Sequence, residues 1–318
     1  MKRLWLLLKC LLLYPCHVQR VRETERLYRE SASPPPIKDF GATRALRILP
    51  LVDWHLSRPG LAGEAGVSYL IRTDHATILF DVGANDRGES PSPLERNLRA
   101  LGVSLNEVDN MVISHLHHDH VGGRKWVGRR SFSLGKTQDP LPGKRVWVPT
   151  EMSYPGLFPI VAREPVAIAQ GVATTGTIPR QLFMGLIEEQ ALAVNVEGKG
   201  LVLIVGCGHQ TLPRLLERAD RVFGIPLYGV VGGLHYPVPD GRMNWLGLNA
   251  QRVFASGTGP LHPVTWEEME ADLDVLAARR PGLVSLSGHD SSDAVIGHFR
   301  ERFGDAYRDL RVGQEIAA

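Results

Sequence analysis

His115, His117, Asp119 and His120 stand within six residues, in the run Ser114-His-Leu-His-His-Asp-His-Val-Gly-Gly123. Four of the twelve histidines in the 318-residue chain fall in this one run, so its composition needs a cause. Imidazole nitrogens and a carboxylate oxygen suit zinc and its first-row neighbours. The run follows Val108-Asp-Asn-Met-Val-Ile113, which reads as a short buried strand. A loop leaving a strand end is where a rigid scaffold displays reactive groups. The competing reading is a polar loop without metal. His118 should point away from an ion that His117 and Asp119 both face.

One loop cannot surround an ion, so further ligands must come from elsewhere in the chain. Three other histidines share a context. His209 ends Ile204-Val-Gly-Cys-Gly-His209, His235 ends Val230-Val-Gly-Gly-Leu-His235, and His289 follows Val284-Ser-Leu-Ser-Gly. Each is a buried strand running into glycine, where the backbone can turn sharply. The recurrence suggests one shared rim. His17, His55, His75, His262 and His298 lack that context and read as surface or core residues. Cys207 is either a small buried residue or a thiolate beside metal. Asp81, in Leu79-Phe-Asp-Val-Gly83, is a further strand-end carboxylate, suited to hydrogen-bonding a ligand histidine.

The elements that must position these residues alternate between strand and helix. Strands are expected at Leu46–Val52, Val67–Arg72, Thr77–Val82, Asn110–Ser114, Arg145–Val148, Val166–Ala169, Leu227–Val231 and Leu283–Leu286. A hairpin is expected from Leu192–Glu197 and Gly200–Val205. Helices are expected at Leu94–Leu101, Leu212–Ala219, Trp266–Ala278 and Ser292–Phe303, and one starting near Asp119. The mixture suggests two packed sheets with helices outside, an α/β class.

The net charge of +2 offers no electrostatic case for nucleic acid. Three cysteines make no disulfide framework. Residues 1–39 differ from the rest. The apolar stretch Leu4–Tyr14, interrupted by Lys9, is too short to span a bilayer and has no cleavage site after it. It reads as an interfacial helix touching a membrane surface through residues 1–16, or as a helix packed on the body. Two locations therefore stay open, membrane-associated through the N-terminus or cytoplasmic. A charged helix-prone segment and the proline-rich Ser31–Pro36 follow, so one folded domain is expected over residues 40–318.

His115-x-His117-x-Asp119-His120, after an Asp-Val-Gly strand end and before Gly-Gly, resembles the metallo-β-lactamase superfamily. Within it, the chain is similar to the group named for dihydropterin–ribofuranosylaminobenzene phosphate synthase. That similarity rests on Glu64-Ala-Gly-Val-Ser-Tyr-Leu-Ile71, Thr175-Gly-Thr-Ile-Pro-Arg180, Gly200–His209 and Val231-Gly-Gly-Leu-His235. Three positions depart from the pattern. Ala65 stands where the group has histidine, Cys207 where many members have a bridging aspartate, and Asp290 in a segment that reads His-Cys-Thr-Gly in the group.

The resemblance implies a four-layer αββα sandwich with metals at one edge of its sheets. It implies two divalent ions, zinc by preference, with manganese or iron as alternatives. One would be held by His115, His117 and His209. The other would be held by Asp119, His120 and either His289 or His235, with Cys207 at the bridge position. The implied activity is hydrolysis of an ester, lactone, thioester or phosphoester, with Asp119 catalytic. Arg180 is the candidate to hold an anionic group of a small-molecule substrate; the other reading of it is a structural ion pair. Two alternatives remain: pterin-related C–C or C–N bond formation on a phosphorylated ribosyl substrate, and a metal-stabilised binding module without activity.

Overall fold

The computed structural model describes residues 2–30, 34–37, 39–245 and 247–318. Helix α1 (Lys2–Glu30) leads into a first run of strands. These are β1 (Leu46–Val52), β2 (Ser68–Thr73), β3 (Thr77–Phe80), β4 (Asn110–Val112), β5 (Arg145–Val148) and β6 (Ile160–Val161). Helix α2 (Pro93–Ala100) lies between β3 and β4, and α3 (Arg124–Gly128) between β4 and β5. The second run is β7 (Ala167–Ala169), β8 (Val172–Thr174), the hairpin β9 (Ile178–Leu182) and β10 (Gly185–Glu189), β11 (Leu192–Val196) and β12 (Gly200–Val205). Then come α4 (Leu212–Phe223), β13 (Leu227–Gly232), the short pair β14 (Asn244–Trp245) and β15 (Leu248–Asn249), and α5 (Ala250–Ala255). The chain closes with α6 (Trp266–Ala277), β16 (Leu283–Leu286), α7 (Asp293–Phe303) and β17 (Ile316–Ala317).

Two mixed sheets result. The first has the order β17-β1-β2-β3-β4-β5-β6, and the second β16-β13-β12-β11-β8-β7. Strand alternation decides what each face buries. Along β12, Val202 and Ile204 join Ile48, Ile78 and Phe80 between the sheets. Leu201, Leu203 and Val205 of the same strand point outward, under Leu215 of α4, Met269 of α6 and Phe299 of α7. On the far side, Leu79 and Met111 pack under Leu94 and Leu98 of α2 and Trp126 of α3. Helix, sheet, sheet, helix is the four-layer α/β sandwich that the resemblance implies.

Direction matters most for function. β3, β4, β5 and β6 run parallel, as do β12, β13 and β16. Their C-terminal ends therefore open on one edge, which receives Asp81, the His115–His120 loop, Cys207–His209, His235 and His289. The helix expected near Asp119 is a correction. Residues 118–122 form turns and the helix begins only at Arg124, because the loop spends its backbone presenting ligands. The β9–β10 and β14–β15 hairpins and α5 were not foreseen; their sequence carries no clear period.

Ser31, Ala32 and Ser33 of the expected linker lie outside the described residues, as does Met1 of the segment expected at a membrane surface. The side chains of residues 2–9 and of Leu11 in that segment are likewise undescribed. Further along, α1 packs on the body. His17 Nε2 lies 2.9 Å from the Thr258 carbonyl, and Glu25 pairs with Arg214 of α4. No helix among the described residues is long and apolar enough to cross a membrane.

Ile204, fully buried between the sheets, tests this packing. Ile204→Ala is expected to lower unfolding stability by about 2–5 kcal/mol. Urea denaturation would measure it; no shift in midpoint would contradict the two-sheet core.

Candidate metal centre

Six strand ends build the site. The β4 exit delivers His115 and His120, fully buried, and the partly exposed His117 and Asp119. The β12 exit delivers Cys207 and His209 through two glycines. A Cβ on Gly206 would strike Ser114 Oγ, and one on Gly208 (φ +75°) would lie 2.7 Å from the Gly233 carbonyl. Only glycine lets the two exits approach so closely. The β13 exit places His235 and the β16 exit His289. The β1 and β3 exits supply the carboxylates Asp53 and Asp81.

Two donor sets form. His115 Nε2 lies 3.0 Å and His209 Nε2 3.1 Å from His117 Nδ1. In the second set, Cys207 Sγ lies 3.1 Å from His289 Nε2 and 3.3 Å from His120 Nε2, and Asp119 Oδ2 is 3.7 Å from His120 Nε2. Donor atoms within each set all lie within 4.8 Å of one another. It is His289, not His235, that joins Asp119 and His120. His235 lies beside His209, with ring centroids 4.3 Å apart and the rings tilted by 47°, and shares a third grouping with Cys207 and His209. Cys207 thus borders both histidine sets. His118 turns away to Asp86, 3.1 Å distant.

Around the donors sits a ring of buried carboxylates. Asp81 Oδ2 lies 2.7 Å from His120 Nδ1 and accepts from Ser114 Oγ at 2.7 Å. Ser287 Oγ links His289 Nδ1 (2.6 Å) to Asp53. Glu189 accepts the backbone N–H groups of Cys207, Gly208 and His209 at 2.8–3.0 Å. Asp290 accepts the His235 N–H at 2.9 Å. Asp81 and His235 are both non-glycine residues at positive φ, +57° and +55°, a strain that surrounding contacts must hold in place. Sequence reasoning found Asp81 but missed Glu189, Asp53, Ser114 and Ser287. Asp53 carried a signal, since it follows a strand just as Asp81 does. Glu189 carried none.

Arg180 reaches the rim from β9. Its guanidinium donates to the His209 carbonyl (2.9 Å) and the Gly257 carbonyl (2.7 Å), not to a carboxylate. It walls a cavity of about 270 Å³ together with Gly208, His209, His235, Tyr236 and Gly257.

Electrostatics tests whether the donors suit a cation. Burial, reinforced by neighbouring imidazoles, holds His115 and His209 well below the usual histidine range. Burial lowers His117 and His235 to about 4. Two neutral imidazoles then share one His117 nitrogen, whose single proton or lone pair makes a full hydrogen bond to one neighbour and not to both. A divalent cation would take a lone pair from all three rings, so the donor set fits one. Burial would lower His120 too, but Asp81 and Asp119 outweigh it and raise His120 to about 9. Burial would raise Asp119, but His120, His118 and His117 outweigh it and hold the carboxylate well below its usual range. Burial pushes the Cys207 thiol well up.

The comparisons with known proteins agree with this geometry. The model of the metallo-beta-lactamase superfamily matches residues 61–132, the segment that contains the histidine run. The chain is 23% identical over 214 residues to 7,8-dihydropterin-6-methyl-4-(beta-D-ribofuranosyl)-aminobenzene-5'-phosphate synthase of Methanocaldococcus jannaschii, which spans 54% of this chain and 71% of that protein. An uncharacterized protein of the same organism is 28% identical over 195 residues, 54% of this chain and 73% of its own length. The crystal structure of Tm1679, a metal-dependent hydrolase of the beta-lactamase superfamily, superposes with a TM-score of 0.58 at 20% identity, covering 85% of this chain and 98% of that one. Residues 61–132 thus match the metallo-beta-lactamase superfamily, and the chain as a whole has the metallo-beta-lactamase fold.

Proton release follows from the charge states. Ligation through Nε2 requires His120, raised to about 9, to give up a proton. Metal affinity should therefore rise about tenfold per pH unit for each proton displaced, from about pH 6 to about pH 8. Calorimetry of zinc binding in two buffers of different ionisation enthalpy would count the protons. Zero release at neutral pH would contradict the assignment of His120.

Proposed function

We propose that the protein is a metal-dependent hydrolase of small-molecule esters, lactones, thioesters or phosphoesters. The observation that carries this reading is the pair of donor sets, His115/His117/His209 and Asp119/His120/Cys207/His289, side by side at the edge of a cavity. Two zinc ions are the preferred occupants, with manganese or iron as alternatives. Divalent ions held there would supply Lewis acidity and make water acidic enough to attack near neutral pH.

The chain's own residues then have distinct tasks. Asp119, partly exposed and kept ionised, accepts a hydrogen bond from water and orients it, or takes its proton. Asp81 and Ser287 fix the far nitrogens of His120 and His289, which sets the ring tautomers and directions. Glu189 holds the Cys207–His209 turn in register. Arg180 keeps its charge available to an anionic substrate group, since its two contacts are neutral carbonyls and Glu25 and Asp272 act on it only through space. A planar guanidinium matches carboxylate and phosphate.

A second reading has its own support. The relative that shares 23% identity over 54% of this chain is named as a synthase of a phosphorylated ribosyl compound. The same centre would then promote C–C or C–N bond formation, with Arg180 on the phosphate. A binding module without turnover is the remaining reading.

Asp119→Ala separates them. Hydrolysis of a chromogenic panel spanning the four classes should fall at least about a hundredfold, while far-ultraviolet circular dichroism stays as in the parent protein. Undiminished turnover by the variant would remove Asp119 from the reaction. A fully metal-loaded parent that hydrolyses nothing on the panel would favour the synthase or binding readings.

A further inference from the structure

Large exposed apolar side chains gather where α1 meets the body. Leu12 and Leu13 of α1 are 72% and 56% exposed, Met184 and Leu186 of the β9–β10 hairpin 56% and 54%, and Leu261 54%. These pieces touch. The His17 ring lies 5.2 Å from the Phe183 ring and 6.2 Å from the Tyr14 ring, and Nε2 reaches the Thr258 carbonyl. A Cβ on Gly259 would lie 2.7 Å from the His17 ring. Each exposed side chain is thus a few residues along the chain, or across one hairpin, from the α1 seam. Clustered apolar exposure of this kind marks an interaction site, whereas single exposed apolar residues are ordinary.

Charge selects the partner. Residues 1–22 contain Lys2, Arg3, Lys9, Arg20 and Arg22 and no acidic residue before Glu23. The apolar Leu4–Tyr14 stretch lies within this basic segment. An apolar stretch too short to span, set among cations, suits the interface of an anionic bilayer rather than its interior. Each basic residue held near such a surface strengthens binding by about fivefold. A protein partner would need an acidic apolar groove, for which nothing in the molecule argues; a bilayer supplies both chemistries at once.

We propose that α1, the β9–β10 hairpin and the Thr258–His262 loop form one docking surface for an anionic lipid bilayer. The surface borders the candidate active-site cavity, because Ala255, Ser256 and Gly257, just ahead of that loop, wall it. The body contributes through Met184, Leu186 and Leu261, so the N-terminal helix does not act alone as a tether.

The test is co-sedimentation of the full, zinc-loaded chain with vesicles. Vesicles of phosphatidylcholine with phosphatidylglycerol should bind at least about tenfold more tightly than phosphatidylcholine alone, and added salt should weaken the binding. Two double variants are compared, Leu12→Asp with Leu13→Asp and Met184→Asp with Leu186→Asp. Each should lower partitioning about tenfold or more, with metal content and thermal midpoint verifying the fold. No vesicle binding by the parent chain would overturn the proposal, as would a hairpin variant that binds like the parent. So would a dimer seen by light scattering that Leu12→Asp with Leu13→Asp dissolves, since the patch would then pair two copies. Hydrolysis of soluble chromogenic esters should be unchanged in both variants, so a failure here is distinguishable from a failure of the hydrolase reading.

Discussion

Buried imidazoles turned toward one another are the constraint on which this molecule depends. His115 and His209 each bring an Nε2 to about 3 Å from His117 Nδ1 in a region where burial disfavours protonation. One His117 nitrogen cannot fully hydrogen-bond both neighbours, whereas a cation would engage all three lone pairs. The rest of the edge can be understood as the means of holding it. Parallel strands bring their C-terminal ends together, glycines let the exits approach, Glu189 holds the backbone turn that carries His209, and Asp81 and the Asp53–Ser287 pair fix the neighbouring His120 and His289 rings.

The carboxylates are the less visible half of that design. Asp81, Asp53, Glu189 and Asp290 are nearly or fully excluded from solvent, yet each faces N–H or O–H donors at the base of a ligand loop. A buried carboxylate is costly alone and stable when its oxygens are satisfied. Burial raises Glu189 to about 7 and Asp53 to about 6 even with their donors in place. A cation beside them would draw these carboxyl groups toward the ionised form, so the same groups would orient ligands and offset the ion's desolvation.

Cys207 gives this centre its own character. Its thiol lies between His120 and His289, at the place where the sequence pattern it resembles leads one to expect a carboxylate. Sulfur is a softer donor than oxygen, which favours zinc over magnesium or calcium at such a position. Burial, reinforced by the nearby carboxylates, raises its pKa, so a thiolate there requires a cation beside it.

Much of this was legible in the chain itself. The histidine run, the strand–glycine–ligand pattern at His209, His235 and His289, and the Asp81 strand end depend on local spacing, which a sequence displays directly. The mixture of strands and helices likewise suggested two packed sheets with helices outside, and the resemblance supplied the four-layer sandwich. Only the tertiary structure could choose between His289 and His235 for the place beside Asp119, since both follow the same punctuation. It also revealed the serine links, and Glu189 and Asp53, which reach the ligand loops from between 18 and 235 residues away in the chain. Local sequence determines which groups can bind a metal; the order and direction of strands decides which of them meet.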